Sequence, residues 1–184
     1  MLSLKVNVSP SIRLTQKNLE LQGTVLSDLK EFFRTKAQPA VKKTFQEIFA
    51  MEGAYEGNSR WKELNKKYAR QKARQVGSKP ILQYSGKYWK ALCRSGAAGN
   101  IFVNEKNHME WGIDEGYFST LTGNPSFNYP TIHEKGIGRM PSRPVISLAQ
   151  NSRRLEADLT KALDKYIKAK IRKYWKIRGM RGMI

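Results

Sequence analysis

The chain has 184 residues, 40% of them hydrophobic and 10% aromatic, which is enough for one folded domain with its own core and argues against disorder throughout. Its 34 Lys and Arg residues outnumber 15 Asp and Glu residues, and the net charge of +19 predicts an anionic partner: nucleic acid, anionic lipid or an acidic protein surface. No apolar run approaches the roughly 20 residues that a membrane-spanning helix needs.

The single cysteine and the first residues bear on the cellular compartment. Cys93 has no second cysteine for a disulfide, and a cysteine-based zinc site needs several thiolates or His pairs. The first residues lack the long apolar segment of a signal peptide. We therefore expect a protein of the reducing cytoplasm.

The spacing of apolar residues changes near Thr24. Before it, hydrophobic residues alternate with polar ones, which predicts a strand or extended arm within residues 1–23; they are Leu2, Leu4, Val6 and Val8. After it, they recur every three or four positions, on one helical face; they are Leu26, Leu29, Phe33, Ala37, Val41, Phe45 and Ile48. Pro39 leaves this phase unchanged, so we expect one kinked helix or two abutting helices with Pro39 in the first turn of the second.

A basic segment follows at residues 57–80, where we expect a short helix between two loops. Residues 60–79 contain eight basic residues and one acidic residue. Trp61, Leu64 and Tyr68 are spaced three and four positions apart, so we expect them to be buried together on one side of that helix.

The middle of the chain predicts a helix and a β-hairpin. Ser85 is a candidate N-cap for a helix that begins at Gly86. Two apolar runs flank a polar turn and predict antiparallel strands at 100–104 and 108–113. Residues 114–130 are rich in Gly, Asn, Pro and aromatic residues, and we expect a long loop there.

The last predicted element is a long helix across residues 151–178, with Asn151 or Ser152 as its N-cap. Its apolar residues share one helical stripe; they are Leu155, Leu159, Leu163, Tyr166, Ile167, Ile171, Tyr174 and Trp175. Residues 161–184 contain nine basic residues and one acidic residue. Such a helix fits a membrane surface, a partner's groove or, as we favour, the core of the domain, with its distal part in a subunit contact.

Together these elements predict an α+β fold. We expect a long N-terminal helical segment and a long C-terminal helix packed on a small antiparallel sheet. The expected organisation is an N-terminal strand or arm at 1–23, a core domain at 24–150, and a basic C-terminal helix and tail at 151–184.

Catalytic chemistry finds no support in the sequence. His133 stands next to Glu134, but neither it nor His108 has a partner at a metal-ligand spacing such as H-E-x-x-H. We expect Cys93 to be a small buried residue and not a nucleophile. The chain has neither a G-x-S-x-G elbow nor a glycine-rich phosphate loop. We therefore predict a protein that is not an enzyme and has no catalytic, cofactor-binding or metal-binding residues.

Five short segments are informative through their order. They are the helix end at Phe45 and Phe49, W-x-x-L-x-x-x-Y from Trp61 to Tyr68, P-I-L-x-x-S-G-x-x-x-x-A-L from Pro80 to Leu92, I-H-E-x-G from Ile132 to Gly136, and P-x-R-P from Pro141 to Pro144. With these segments the chain resembles the phage virion morphogenesis (tail-completion) family from Phe45 to Val145. It departs from that family's pattern at the glycine before Trp61, which is displaced to Gly57, and at Val145, where an aromatic residue is common.

The resemblance implies a structural role in a virion. We expect a subunit of a homo-oligomeric ring, for instance a hexamer, that acts in tail completion and head–tail joining at the neck or tail end. Its partners would be neighbouring neck, connector or tail proteins, with DNA backbone contact in the lumen and no membrane. Assembly would take place in the host cytoplasm. The alternative is a cytoplasmic accessory protein that binds nucleic acid without reading its sequence.

Two sets of residues carry these expectations. The expected packing anchors are Trp61, Leu64, Tyr68, Ile81, Leu82, Trp89 and Leu92. The expected contacts to an anionic partner are Lys66, Lys67, Arg70, Lys72, Arg74, Lys165, Lys168, Arg172, Lys173, Lys176, Arg178 and Arg181. For the C-terminal cations we favour an acidic protein face over DNA, because an apolar stripe beside the charges suits a packed contact.

Overall fold

The computed structural model of the protein describes residues 12–121, 123 and 128–177. The α-helices are α1 (Ile12–Leu26), α2 (Lys30–Phe32), α3 (Gln38–Ala50), α4 (Lys66–Val76), α5 (Lys87–Cys93), α6 (Glu115–Thr120), α7 (Tyr129–Lys135), α8 (Ile146–Gln150) and α9 (Arg153–Ile177); a π-helical turn spans Phe33–Ala37 and a 3₁₀ turn Tyr55–Gly57. Strands β1 (Asn100–Asn104) and β2 (Met109–Ile113) form an antiparallel hairpin with Phe102 opposite Trp111. The predicted α+β class is confirmed.

The N-terminal helical segment begins earlier than predicted. Helix α1 covers residues 12–26, so the part of the predicted arm that is described is helical and not extended. The predicted strand at residues 2–8 lies outside the described residues. Helix α1 packs against α9 and buries Leu21. This tertiary contact stabilises a helix that local apolar periodicity did not reveal.

Pro39 lies in the first turn of α3, and helical structure runs continuously from α2 through the π-helical turn into α3. A π-helical turn bonds each N–H to the carbonyl five residues back. Proline has no N–H to donate, and its ring crowds the carbonyl four residues earlier. A widened turn before Pro39 accommodates both effects. The predicted apolar phase is kept across it, with Ala37, Phe45 and Ile48 buried.

The core lies where α3, α5, α6 and α8 meet beside the hairpin. Aromatic rings fill its centre edge to face, with centroids 5.6 Å apart for Phe49 and Tyr88 and 5.3 Å apart for Phe118 and Tyr129. Cys93 is buried at the end of α5, as expected. Burial raises the pKa of its thiol to about 12, so the thiolate that a nucleophile needs is disfavoured.

Six of the seven predicted packing anchors contact this core. Trp61, Ile81 and Leu92 are buried, and Leu64, Leu82 and Trp89 are partly buried against it. The prediction for Tyr68 is wrong, because its side chain is 45% exposed. Helix α4 begins only after Asn65, whose side chain accepts a hydrogen bond from the Lys67 N–H. Trp61 and Leu64 therefore precede the helix, and the spacing that was to join them to Tyr68 does not apply.

The long C-terminal helix is present as α9, 25 residues long and therefore about 37 Å. From Leu155 to Tyr174 the residues of its apolar stripe are half-buried, and the helix packs against α1, α3 and the π-helical turn. Tyr166 meets Phe32 with ring centroids 5.5 Å apart, and Lys170 forms an ion pair with Glu31. Helix α1 therefore packs on a helix whose partners the sequence did not identify.

The segment predicted as a long loop at 114–130 is partly helical. Asp114 begins α6 by accepting a hydrogen bond from the Tyr117 N–H. Phe118 in this short helix is fully buried in the core. Residues 122 and 124–127 lie outside the described part of the chain.

Replacement of Trp61 by Ala should lower the free energy of unfolding by about 3–5 kcal/mol, because deletion of a buried aromatic ring leaves a cavity. Tyr68→Ala removes an exposed ring nearby and should change it by less than about 0.5 kcal/mol. Urea unfolding followed by circular dichroism measures both. An unchanged midpoint for Trp61→Ala would contradict the packing described above.

Candidate functional site

Three of the five segments that carry the family resemblance meet around Trp61. Its indole Nε1 donates a hydrogen bond to the Pro144 carbonyl (3.1 Å), and its ring packs edge to face on Phe49 (6.0 Å). Its backbone N–H donates to the Glu52 carbonyl (2.7 Å). Gly53, at φ +86°, lies against the ring, and a Cβ there would stand 2.3 Å from the indole nitrogen. The helix end, the tryptophan segment and P-x-R-P are thereby joined.

Arg143 ties the same junction to the I-H-E-x-G segment. Its buried guanidinium donates from Nε (3.2 Å) and Nη2 (2.9 Å) to the Lys62 carbonyl. Its backbone N–H donates to the His133 carbonyl (2.6 Å). Burial lowers the pKa of Arg143, yet an arginine keeps its charge at neutral pH. The arginine of P-x-R-P is therefore engaged by backbone within the fold.

Glu134 acts as a remote cap for α8. Its carboxylate accepts hydrogen bonds from the N–H groups of Val145 (2.8 Å), Ile146 (3.2 Å) and Ser147 (2.7 Å), and from the Ser147 hydroxyl. Helix α8 has no side-chain cap from its own N-cap residue. A carboxylate at a helix start satisfies free N–H groups and interacts favourably with the helix dipole. The geometry gives Glu134 a structural role.

His133 is held neutral beside this cap. Burial, and next the nearby charge of Arg143, lower its pKa to about 4. Its Nδ1 is buried and has no hydrogen-bond partner among the described residues. The sequence paired His133 with Glu134 as a potential acid–base or metal group, but the two side chains face different neighbours.

Lys72 corrects one of the predicted anion contacts. Its side chain is 4% exposed, and its ammonium donates to the carbonyls of Lys79 (2.8 Å) and Pro80. Burial lowers its pKa. Lys72 lies three positions after Ala69 and four before Val76, both half-buried, so it belongs to the inward face of α4. A lysine that holds a loop from inside is not available to a partner.

Glu56 ties the start of α9 to the 3₁₀ turn. Its carboxylate accepts from the N–H groups of Arg153 (3.1 Å) and Arg154 (3.1 Å) and from the Ser152 hydroxyl. Ser152 Oγ in turn accepts from the Leu155 N–H (2.9 Å), which confirms Ser152 as the N-cap. The hydrogen bond from Ser152 is the main cause that lowers the pKa of Glu56. Sequence reasoning missed this contact because its partners are 97 residues apart.

Eight of the remaining predicted anion contacts are exposed on α4 and α9. They are Lys66, Lys67, Arg70 and Arg74 on α4 and Lys165, Lys168, Arg172 and Lys173 on α9. Lys168 forms an exposed ion pair with Asp164 (2.7 Å), a kind of contact that adds little stability. The side chains of Lys176, Arg178 and Arg181 lie outside the described part of the protein.

Comparisons of this chain with protein-family models, curated proteins and solved structures gave no match. Across the described ranges no helix is long and apolar enough to cross a membrane. The same residues contain no group of three or more His, Cys, Asp and Glu side chains placed to hold a metal ion.

Glu134→Gln should lower the free energy of unfolding by about 1.5–3 kcal/mol, because hydrogen bonds from three N–H groups to a charged carboxylate are weakened. Glu110→Gln, an exposed position on β2, makes the same chemical change and should have an effect below about 0.5 kcal/mol. Denaturant titrations of both variants provide the measurement. Equal effects would show that Glu134 is no cap.

Stability should depend on pH through His133. The pKa of His133 is about 4 in the folded protein and about 6.5 in the unfolded chain. The contribution of the neutral His133 to the free energy of unfolding is therefore complete above pH of about 6.5. It is lost as the pH falls towards 4, because the unfolded chain binds a proton that the folded protein excludes. Between pH 6.5 and about 5 the wild type should lose more stability than His133→Gln. His108→Gln, in the exposed hairpin turn, should behave as wild type; an unaltered pH profile for His133→Gln would contradict the burial.

Proposed function

We propose that the protein is a structural subunit of a phage virion that acts in tail completion and head–tail joining at the neck or tail end. One observation carries the proposal: the motif segments that resemble the virion morphogenesis family interlock. The Trp61 indole N–H donates a hydrogen bond to the Pro144 carbonyl, 83 residues away. The Arg143 guanidinium donates to the Lys62 carbonyl, 81 residues away. Glu134 caps the helix that follows P-x-R-P. Segments whose order suggested the family also depend on one another for their positions.

The contacts of these residues support a structural role over a catalytic one. The Glu134 carboxylate accepts four hydrogen bonds within the protein. The Arg143 guanidinium is buried against a backbone carbonyl, and the Trp61 indole N–H is paired. Polar groups that are buried and paired inside the fold have little capacity left for a substrate. The same residues therefore serve as packing determinants.

The exposed face of α9 is the surface that we propose for assembly. Arg172 and Lys173 are exposed beside the half-buried Ile171. In a ring, copies of this helix would bring like charges together, and their repulsion requires an anionic partner. We favour an acidic face of a neighbouring neck, connector or tail protein, because half-buried apolar residues next to the charges suit a packed interface. The partner protein would be found with this subunit in the virion.

The oligomeric state at high salt tests the ring. Size-exclusion chromatography with light scattering in about 1 M salt, without nucleic acid, should give a homo-oligomer of defined mass, because screening at that ionic strength removes polyanion bridging. A monomer that binds DNA with an affinity that falls steeply with salt would instead support the sequence-independent nucleic-acid-binding function. The exposed cations of α4 favour that second function.

A charge-reversal variant on α9, with a charge-matched control elsewhere, tests the proposed assembly surface. In a phage that encodes the protein, Arg172→Glu with Lys173→Glu should leave capsids assembled while tails stay incomplete or unjoined. Lys106→Glu with Lys135→Glu makes the same change of net charge at exposed positions outside α9 and should give normal virions. Electron microscopy of both lysates distinguishes the outcomes. Normal joining in the α9 variant would remove this face from the proposal.

A further inference from the structure

A concave basic pocket lies beside α5, and none of the anion contacts predicted from the sequence lines it. Its volume is about 390 Å³, and Lys87, Lys90, Arg94, the loop at residues 95–98 and Tyr117 line it. None of these lining residues is acidic. The pocket is therefore an indentation of positive charge and not merely a solvated helix face.

The cations converge for a geometric reason. Lys87, Lys90 and Arg94 are spaced three and four positions apart, so they share one side of the turns at α5 and its C-cap. Lys42 reaches the rim from α3, with its Nζ 3.4 Å from the Ser95 hydroxyl. None of the four forms an ion pair with a carboxylate in the described part of the chain. Four uncompensated charges around one indentation repel each other, and a bound anion would relieve that repulsion.

The walls of the pocket are held in place before any ligand arrives. The Arg94 guanidinium lies over the Trp89 ring, 5.3 Å from its centroid, a cation–π contact that restricts the side chain. The Gln38 amide donates to the Ser95 hydroxyl (3.0 Å) and anchors the loop to α3. Small residues at 96–98 leave the loop backbone accessible. Preorganised donors lose less entropy when they bind.

Tyr117 is the aromatic residue in the lining of the pocket. Its ring packs directly on Gly99, where a Cβ would stand 2.4 Å from the ring. It also meets Phe118 edge to face, with centroids 5.2 Å apart. Grooves that combine cations with aromatic side chains occur in proteins that bind single-stranded nucleic acids, and here the half-buried ring gives the cations a rigid neighbour.

We propose that this pocket binds the phosphate backbone of a nucleic acid. Arginine presents a planar fork of donors that matches phosphate oxygens, and the two lysines add point charges. The seven positions from Lys87 to Arg94 span about 10 Å along the helix direction, more than the 3.4 Å rise per phosphate of one DNA strand. The site thus covers more than one phosphate. The net charge of +19 favours a long, uniformly charged polyanion over a local acidic protein patch.

The proposal is independent of the virion role, because DNA binding by the isolated protein and ring formation are separate measurements. A ring that does not bind DNA would contradict only this site. A protein that binds DNA through this pocket and stays monomeric would contradict only the ring.

The test is the salt dependence of binding to a fluorescently labelled duplex DNA of about 20 base pairs, measured by anisotropy. Loss of two phosphate contacts should reduce the slope of log K against log salt by about 1.8 in Lys87→Gln with Lys90→Gln. The control is Lys106→Gln with Lys135→Gln, which has the same net charge and should keep the wild-type slope. Lys87→Arg with Lys90→Arg should restore the slope. Circular dichroism of each variant verifies the fold.

Three outcomes would overturn the proposal. The first is a wild-type protein that does not bind the duplex in low salt. The second is an equal change of slope in the two glutamine variants, which would show that net charge alone governs binding. The third is displacement of the DNA by polyglutamate at a lower concentration of charge than by unlabelled DNA, which would identify an acidic protein segment as the better ligand.

Discussion

The burial of one indole ring is the contact on which the arrangement of this domain depends. Trp61 has no helix or strand of its own to hold it, since α4 starts only at Lys66. It is positioned by Gly53, Phe49 and the Pro144 carbonyl. Burial of such a side chain contributes about 1.5–3 kcal/mol. It also brings the end of α3 and the segment before α8 together, and that placement lets Arg143 and Glu134 form their contacts.

Hydrogen bonds to carboxylates connect chain segments that a larger sheet would otherwise hold together. The hairpin has only two strands, so few tertiary contacts pass through backbone ladders. Glu52, Glu56 and Glu134 instead accept hydrogen bonds from N–H groups of distant segments. Glu52 and Glu56 adopt positive φ values of 47° and 50°, a conformation that costs a non-glycine residue about 1–2 kcal/mol. Three of the 15 acidic residues thus have hydrogen-bond partners within the protein.

Periodicity predicted the elements well and their partners poorly. The helical stripe across Pro39, the hairpin and the long C-terminal helix follow from local spacing and turn chemistry. Trp61 is buried as expected, but the helical spacing that predicted its burial does not apply. The expectations for Tyr68 and Lys72 fail for separate reasons. Tyr68 lies in the first turn of a helix that begins only at Lys66, and Lys72 is held by the carbonyls of Lys79 and Pro80. Lys72 is therefore no longer a candidate anion contact, while the exposed cations of α4 remain candidates.

Features that depend on distant chain segments had no local signal. Helix α1 is stabilised against α9, and the Glu134 cap joins residues separated by a turn and an extended segment. The basic pocket was missed for a related reason. Lys87, Lys90 and Arg94 alone look like a solvated helix face, and only the loop at 95–98 and Tyr117 make it concave.

The packing of the N-terminal helices α1 and α2 on α9 has a consequence for biosynthesis. Glu31 and Lys170, which join the N-terminal helical segment to α9, are 139 residues apart in the chain. A ribosome produces the N-terminal side of this contact first, and at about 5–20 residues per second the other side follows only after many seconds. Until α9 emerges, Leu21 and Phe32, which are buried in the finished domain, lack that covering. Helices α1 and α2 are therefore synthesised long before α9, and their apolar side chains stay exposed on the nascent chain until α9 emerges.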